Sequence, residues 1–216
     1  MTAIDYTANP ISFLRDLYPV EGAFGPRMLV PEFLEDFLGM AFDEQGNPVE
    51  QNVLYSTSKK QGKSSLAGGI ALYMASRKRY SEVVIAAADY NQAKDRVFRS
   101  IKYSVSNHPV WRNAKVYQDI IELDNASTIQ ALPFDWRGAA GGNYAAVIFD
   151  ELHVYTQENH RRMWDELVIP PTQPEGIRWI ASYAGFVGES ELLWDVWQSA
   201  LAGEQLREDP PIYHKQ

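Results

Sequence analysis

The chain contains no cysteine, which excludes disulfides and thiolate-ligated metals. No apolar run approaches the ~20 residues that a membrane-spanning helix needs, and residues 1–10 lack the basic-then-apolar layout of a secretory signal. A soluble intracellular protein with no membrane partner is therefore expected. Positive charge is also scarce: 20 Lys and Arg stand against 28 Asp and Glu, a formal net charge of −8. Gripping nucleic acid over a whole surface requires clustered cations to neutralise phosphates. This balance excludes that class but leaves room for contact through one small patch. The basic clusters are short, Lys59-Lys60, Arg77-Lys78-Arg79 and Arg161-Arg162, and the second is expected to decorate a helix C-terminus, where cations complement the dipole. The four histidines show no convincing ligand spacing. His153 and His160 are expected at the surface or behind a site rather than on zinc.

What is present is enough apolar material, 45% of 216 residues, for one sizeable core. No internal repeat or low-complexity linker divides it, so a single domain over residues 1–216 is expected: an arm at 1–30, a core at 31–208 and a tail at 209–216. The most informative stretch follows the apolar run Val53-Leu54-Tyr55. Thr57, Ser58, Lys59, Lys60, Gln61, Gly62, Lys63, Ser64 and Ser65 form a loop ending in Gly-Lys-Ser. A strand feeding a tight turn and then a helix would aim backbone N–H groups and a positive dipole end at phosphates. Gly62 would admit close backbone approach, Lys63 would reach the β- and γ-phosphates, and Ser64 would give a hydroxyl to Mg2+. The usual glycine five residues before Gly62 is replaced by Thr57, so the loop is a variant, and an ordinary Gly-Lys-Ser loop is the alternative.

The run Ala145-Ala146-Val147-Ile148-Phe149 ends in Asp150-Glu151. Such a run reads as a central parallel strand buried on both faces, and its carboxyl end is where open α/β sheets bind ligands. Asp150 is the candidate Mg2+ holder, and Glu151 is the candidate catalytic residue that polarises the attacking water. Together the two motifs point to a P-loop NTPase. The periodicity predicts helices at 31–40, 64–79, 91–106, around 160–167 and at 191–206. It predicts strands at 53–55, 82–88, 145–150 and 178–183, a meander over 115–132, and a tail that ends the fold at residues 209–211. Alternating strands and helices imply an α/β fold, a doubly wound, mainly parallel sheet flanked by helices. Trp136, Trp164, Trp179, Trp194 and Trp197 are expected in core or interface positions.

With these motifs placed, residues 31–185 resemble the ATPase domain of tailed-phage terminase large subunits, the motors that package DNA. The resemblance rests on several stretches. They are the variant loop with Lys59 four residues before its lysine, Ala86-Ala87-Ala88-Asp89-Tyr90-Asn91-Gln92-Ala93 after the loop helix, and Arg137-Gly138 in a glycine-rich segment. Asp150-Glu151-Leu152-His153 and Ser182-Tyr183-Ala184-Gly185 complete it. It implies ATP and Mg2+ as ligands and double-stranded DNA as substrate. It also implies a terminase small subunit and portal as partners, a homo-oligomeric ring when active, and residence in the host cytoplasm. By the same resemblance Lys59 approaches the γ-phosphate from within the subunit, although Lys lacks the planar fork of Arg, and Arg137 is a finger reaching a neighbour's nucleotide. Ser182 and Tyr183 are coupling residues that sense the γ-phosphate. Two departures stand out. Pro31-Glu32-Phe33 occupies the place of an adenine-reading element but lacks its Gln, and Phe33 is expected to be plain core. The nuclease portion usual in the family is not in this sequence, so no nuclease activity is expected from these residues. A different P-loop ATPase, helicase-like or repair-related, and a regulatory nucleotide-binding module are the alternatives.

Overall fold

Apolar runs that are buried on both sides have to lie at the centre of a sheet, and four of them do so here. The computed structural model describes residues 5–22, 26–88, 93–132, 141–202 and 212–214, the last three by backbone alone. Its strands are β1 (Asn52–Ser56), β2 (Glu82–Ala87), β3 (Lys115–Val116), β4 (Ile120–Glu122), β5 (Thr128–Ala131), β6 (Tyr144–Asp150), β7 (Ile177–Ser182) and β8 (Ile212–His214). They form one eight-stranded sheet in the order β3-β4-β5-β2-β6-β7-β1-β8. Pairing is parallel from β5 to β8 and antiparallel only along β3, β4 and β5. The expected fold class, a mainly parallel doubly wound sheet flanked by helices, is what the chain adopts.

Side chains alternate across a strand, and here the alternation divides the core into two layers. Val53, Tyr55, Val83, Ile85, Ala146, Ile148, Trp179 and Ala181 lie in one; Leu54, Val84, Ala86, Val147, Phe149 and Ile180 lie in the other. The first layer is covered by α1 (Pro10–Leu17), α2 (Glu32–Ala41), α3 (Lys63–Arg77) and α4 (Arg99–Asn107). The second packs against α5 (Glu158–Glu166) and α6 (Glu191–Ala202) through Met163, Leu192, Leu193 and Val196. Among the described residues, no helix is long and apolar enough to cross a membrane.

Several expectations need correction. The stretch 1–30, expected as an arm, contains a helix, α1. Asn9 caps α1 by accepting from the Ser12 N–H at 2.8 Å, Pro10 opens the helix, and Phe13 and Leu14 enter the core. An Asn-Pro pair before Phe, Leu and Leu at helical spacing is the signal for it. The helix expected over 91–106 begins as a π-helical turn, Ala93–Phe98, before settling into α4; residues 91 and 92 lie outside the described residues. The chain does not end its fold at residues 209–211, because β8 pairs in parallel with β1, Asn52 opposite Ile212. Three residues are too short to show periodicity, so only the open edge of β1 reveals this strand. Phe33 is 54% exposed. It sits on the solvent side of α2, whose buried face carries Leu34, Phe37 and Leu38, so it is not core. Of the tryptophans, Trp179 is fully buried, whereas Trp194 is 54% exposed and lies against Trp197 with ring centroids 5.0 Å apart. Trp136 lies outside the described residues.

The helix that follows the variant loop sits close to its neighbours because its facing residues are small. A Cβ on Gly68 would come within 2.5 Å of the Tyr18 hydroxyl and 3.2 Å of the Val97 carbonyl oxygen. Tyr18 cannot retreat, since it is fully buried and its hydroxyl is hydrogen-bonded to Ser100 Oγ at 2.5 Å. Gly68→Val is therefore expected to destabilise the protein by about 1–3 kcal/mol, overpacking outweighing the small gain in helix propensity. A lowered urea midpoint at unchanged slope is the measurement.

Candidate functional site

The alternation along β6 also decides where its terminal acid points. Ala146 and Ile148 face the α3 layer, so Asp150, in step with them, faces α3 as well. Asp150 is 1% exposed, and its carboxylate accepts from Ser64 Oγ at 3.2 and 3.3 Å. Burial raises the Asp150 pKa to about 6, with the neighbouring Glu151 charge acting in the same direction. Strand alternation alone would send residue 151 to the opposite face. Glu151 instead adopts left-handed backbone, φ 56° and ψ 50°, a conformation costing a non-glycine residue about 1–2 kcal/mol. The turn brings its carboxylate round to the same cleft. There Oε1 accepts from Arg96 at 3.3 Å. Oε2 is buried without a hydrogen bond, 3.2 Å from His153 Nδ1. Burial first, then Lys59, Lys63 and Arg96, lower the His153 pKa to about 4. This imidazole is neutral near pH 7, so its contact with Glu151 is not an ion pair.

Opposite these acids lies the variant loop. Lys60 and Gly62 take left-handed φ values of 65° and 74°. A Cβ on Gly62 would meet nothing within 4 Å, so its backbone angle, not crowding, favours glycine there. The turn delivers Lys63 to the start of α3. Its buried ammonium donates to the carbonyl oxygens of Thr57 and Ser58 at 3.1 and 2.9 Å. Burial lowers the Lys63 pKa, opposed by Glu151 and Asp150.

Between the two motifs runs β7, hydrogen-bonded to β1 on one side and β6 on the other. Its end therefore touches both. The Ser182 carbonyl accepts from the Thr57 N–H at 3.2 Å, and Ser182 Oγ accepts from the His153 N–H at 3.2 Å. Tyr183 places its ring 3.8 Å from the His153 ring, with Lys59 Nζ 4.8 Å and Lys63 Nζ 5.5 Å from its centroid.

The result is an open cleft of about 420 Å³, lined by Lys59, Lys60, Gly62, Lys63, Ser64, Ser65, Arg96, Glu151, His153, Val154 and Tyr183. Asp150 lies beneath Ser64, Thr57 and Ser58 contribute carbonyl oxygens to Lys63, and Ser182 stands behind the acid turn. Gln61 is exposed and does not line the cleft, and neither does Phe33. Arg137 lies outside the described residues. His153 is 5% exposed and stands behind Glu151, so the surface alternative for it falls away. Sequence reasoning missed Arg96, which it placed in a helix without a role. Nothing in the spacing marks it, because its position follows from how the π-helical turn packs on α3 and β2.

The site has what an anion with a divalent cation requires. Lys59, Lys60, Lys63 and Arg96 converge on a helix N-terminus, and the buried Asp150 carboxylate has a hydroxyl beside it. Among the described residues no group of three His, Asp or Glu side chains is placed to hold a metal ion. A cation here would therefore draw its remaining ligands from phosphate oxygens and water, the usual habit of Mg2+.

The sequence matches no protein-family model and no curated protein. Solved structures do match. The large terminase of bacteriophage HK97 superposes with a TM-score of 0.74 at 17% identity, over 96% of this chain and 43% of that one. The large terminase of a thermophilic bacteriophage gives 0.61 at 11% identity over 87% and 45%. The large terminase ATPase domain of Thermus phage P74-26 gives 0.50 at 17% identity over 81% and 76%. The chain thus has the fold of phage large-terminase ATPase domains, and it covers less than half the length of the first two of these proteins.

Because folding raises the Asp150 pKa above its unfolded value near 3.8, the native state binds more protons in between. The associated stability is full below pH 3.8 and is lost as pH rises through about 6. Without divalent cations, Asp150→Asn is expected to be more stable than the parent near pH 8 by roughly 2–3 kcal/mol, the gap closing towards pH 4. Urea unfolding across that range measures it. A gap independent of pH would count against a buried, charged Asp150.

Proposed function

We propose that this chain is the ATPase motor domain of a viral terminase large subunit, coupling Mg-ATP hydrolysis to movement of double-stranded DNA into a capsid. The observation that carries this reading is the convergence of Lys63, Ser64, Asp150 and Glu151 at one cleft, on a fold shared with phage large-terminase ATPase domains. Phosphoryl transfer to water asks for positioning and charge stabilisation rather than covalent chemistry, and the residues at this cleft suit those tasks. Lys63 would leave the Thr57 and Ser58 carbonyls for the phosphates, and the N–H groups opening α3 would receive phosphate oxygens. Ser64 and Asp150 would hold Mg2+, which when bound neutralises charge on the β- and γ-phosphates. Glu151 lines the cleft and would orient the attacking water through its carboxylate.

Lys59, over the Tyr183 ring, supplies a second cation from within the subunit. Ser182 and Tyr183 lie between the loop and the acid turn, and would transmit loss of the γ-phosphate to the rest of the motor. Arg137 is assigned as the finger that completes a neighbour's site in a homo-oligomeric ring. The terminase small subunit and the portal are the partners this reading implies.

Lys63→Ala and Glu151→Ala are each expected to lower Mg-dependent ATP hydrolysis by ~100-fold or more, Glu151→Ala while retaining nucleotide binding. Hydrolysis by Glu151→Ala at the parent rate would remove its water-orienting role. Arg137→Ala is expected to bind nucleotide normally and to lose the stimulation of turnover that accompanies assembly. Turnover assayed against protein concentration separates this from a binding defect.

A further inference from the structure

Three cations of the cleft are engaged by groups of the protein itself: Lys63 by loop carbonyls, Lys59 by the Tyr183 ring, and Arg96 by Glu151. Lys63 and Lys59 belong to the phosphate loop, but Arg96 does not. It projects from the π-helical turn Ala93–Phe98, across the cleft from the loop. π-turns are rare and recur at functional positions.

We propose that Arg96 is a γ-phosphate-contacting residue that exchanges Glu151 for the terminal phosphate when a nucleoside triphosphate binds. This rests on the reading of the cleft as an ATP site. The proposal follows from the weakness of the pair Arg96 now makes. It is a single contact of 3.3 Å, not a two-pronged one, and the Arg96 side chain is 48% exposed. Such a pair is weak, because water screens the half-exposed guanidinium. A terminal phosphate offers three oxygens and more charge to a guanidinium whose fork matches it. In competition for one arginine, the phosphate wins.

The exchange has a consequence for Glu151. While Arg96 holds Oε1, one oxygen of the water-orienting carboxylate is occupied and its negative charge is partly compensated. When Arg96 turns to the phosphate, Oε1 is released to the cleft, while Oε2 stays buried beside the neutral His153. The residue that senses the γ-phosphate is thereby the one that frees the general base. A diphosphate lacks the group that draws Arg96 away, so Glu151 would be recaptured after product forms. Arg96 is half-exposed at the cleft rim, so its replacement leaves the core intact.

The test compares ADP with a slowly hydrolysed ATP analogue, ATP-γ-S, in the parent, Arg96→Ala and Arg96→Lys, by displacement of a fluorescent nucleotide in the presence of Mg2+. The ratio of the two affinities is a readout that a purely structural role would not move. Arg96→Ala is expected to keep ADP affinity within about twofold while losing ~10-fold or more in ATP-γ-S affinity. Arg96→Lys is expected to recover part of that loss, and thermal melting of all three proteins to coincide. An unchanged ratio in Arg96→Ala, or faster hydrolysis with both affinities unchanged, would overturn the proposal, because Arg96 would then only restrain Glu151. Failure of the parent chain to bind either nucleotide would overturn the assignment of the cleft itself, a result distinguishable from the first.

Discussion

A carboxylate at the buried end of a central strand is costly unless something donates to it. Asp150 is in that position, and the hydroxyl that meets it comes from Ser64, eighty-six residues earlier in the chain. This one contact joins the loop before α3 to the tip of β6. It depends on α3 lying across β6, while the glycines on the other side of α3 let Tyr18 and Leu14 come close. Lys63, Glu151 and Arg96 take their places around that junction. Its cost is visible in the raised Asp150 pKa, a destabilisation of the empty fold that a bound divalent cation would offset.

The acid turn carries a second strain. Glu151 in left-handed backbone breaks the alternation of β6 and turns two consecutive acids toward one cleft. Strain of this kind persists where surrounding contacts over-determine it. Here those contacts are the His153 N–H on Ser182 Oγ, the Ser190 hydroxyl on the His153 carbonyl, and the Tyr183 ring against His153. Because β7 separates β1 from β6, the segment that braces the acid turn also hydrogen-bonds the start of the variant loop at Thr57. That double attachment gives the Ser182-Tyr183 pair a mechanical reason for the coupling role proposed for it.

The electrostatics of the cleft run against those of the chain. A net charge of −8 gives no hint of an anion site, yet Lys59, Lys60, Lys63 and Arg96 are gathered within one recess. Glu151 holds Arg96 there, loop carbonyls hold Lys63 and the Tyr183 ring holds Lys59, each a group that a phosphate can displace. Such preorganisation lets a site recognise an anion without leaving buried charges unpaired in its absence.

How much of this could be read beforehand depends on the range of the interactions involved. Local patterns were legible: the apolar runs that became β1, β2, β6 and β7, the glycine ahead of Lys63, and the paired acids ending β6. Gly62 has the left-handed angle its motif requires, and Asp150 faces α3 because strand alternation is fixed by covalent geometry. Other features follow from packing between segments remote in the chain. The partnership of β8 with β1, the exposure of Phe33, the burial of His153 behind Glu151 and the arrival of Arg96 at Glu151 are of this kind. The amino-acid order by itself determined which elements form and which residue types carry the chemistry, because propensity and periodicity act over a few residues. Only the tertiary structure decided which of the chain's charges meet, because Coulomb attraction and hydrogen bonding depend on distance in space, which spacing along the chain does not encode.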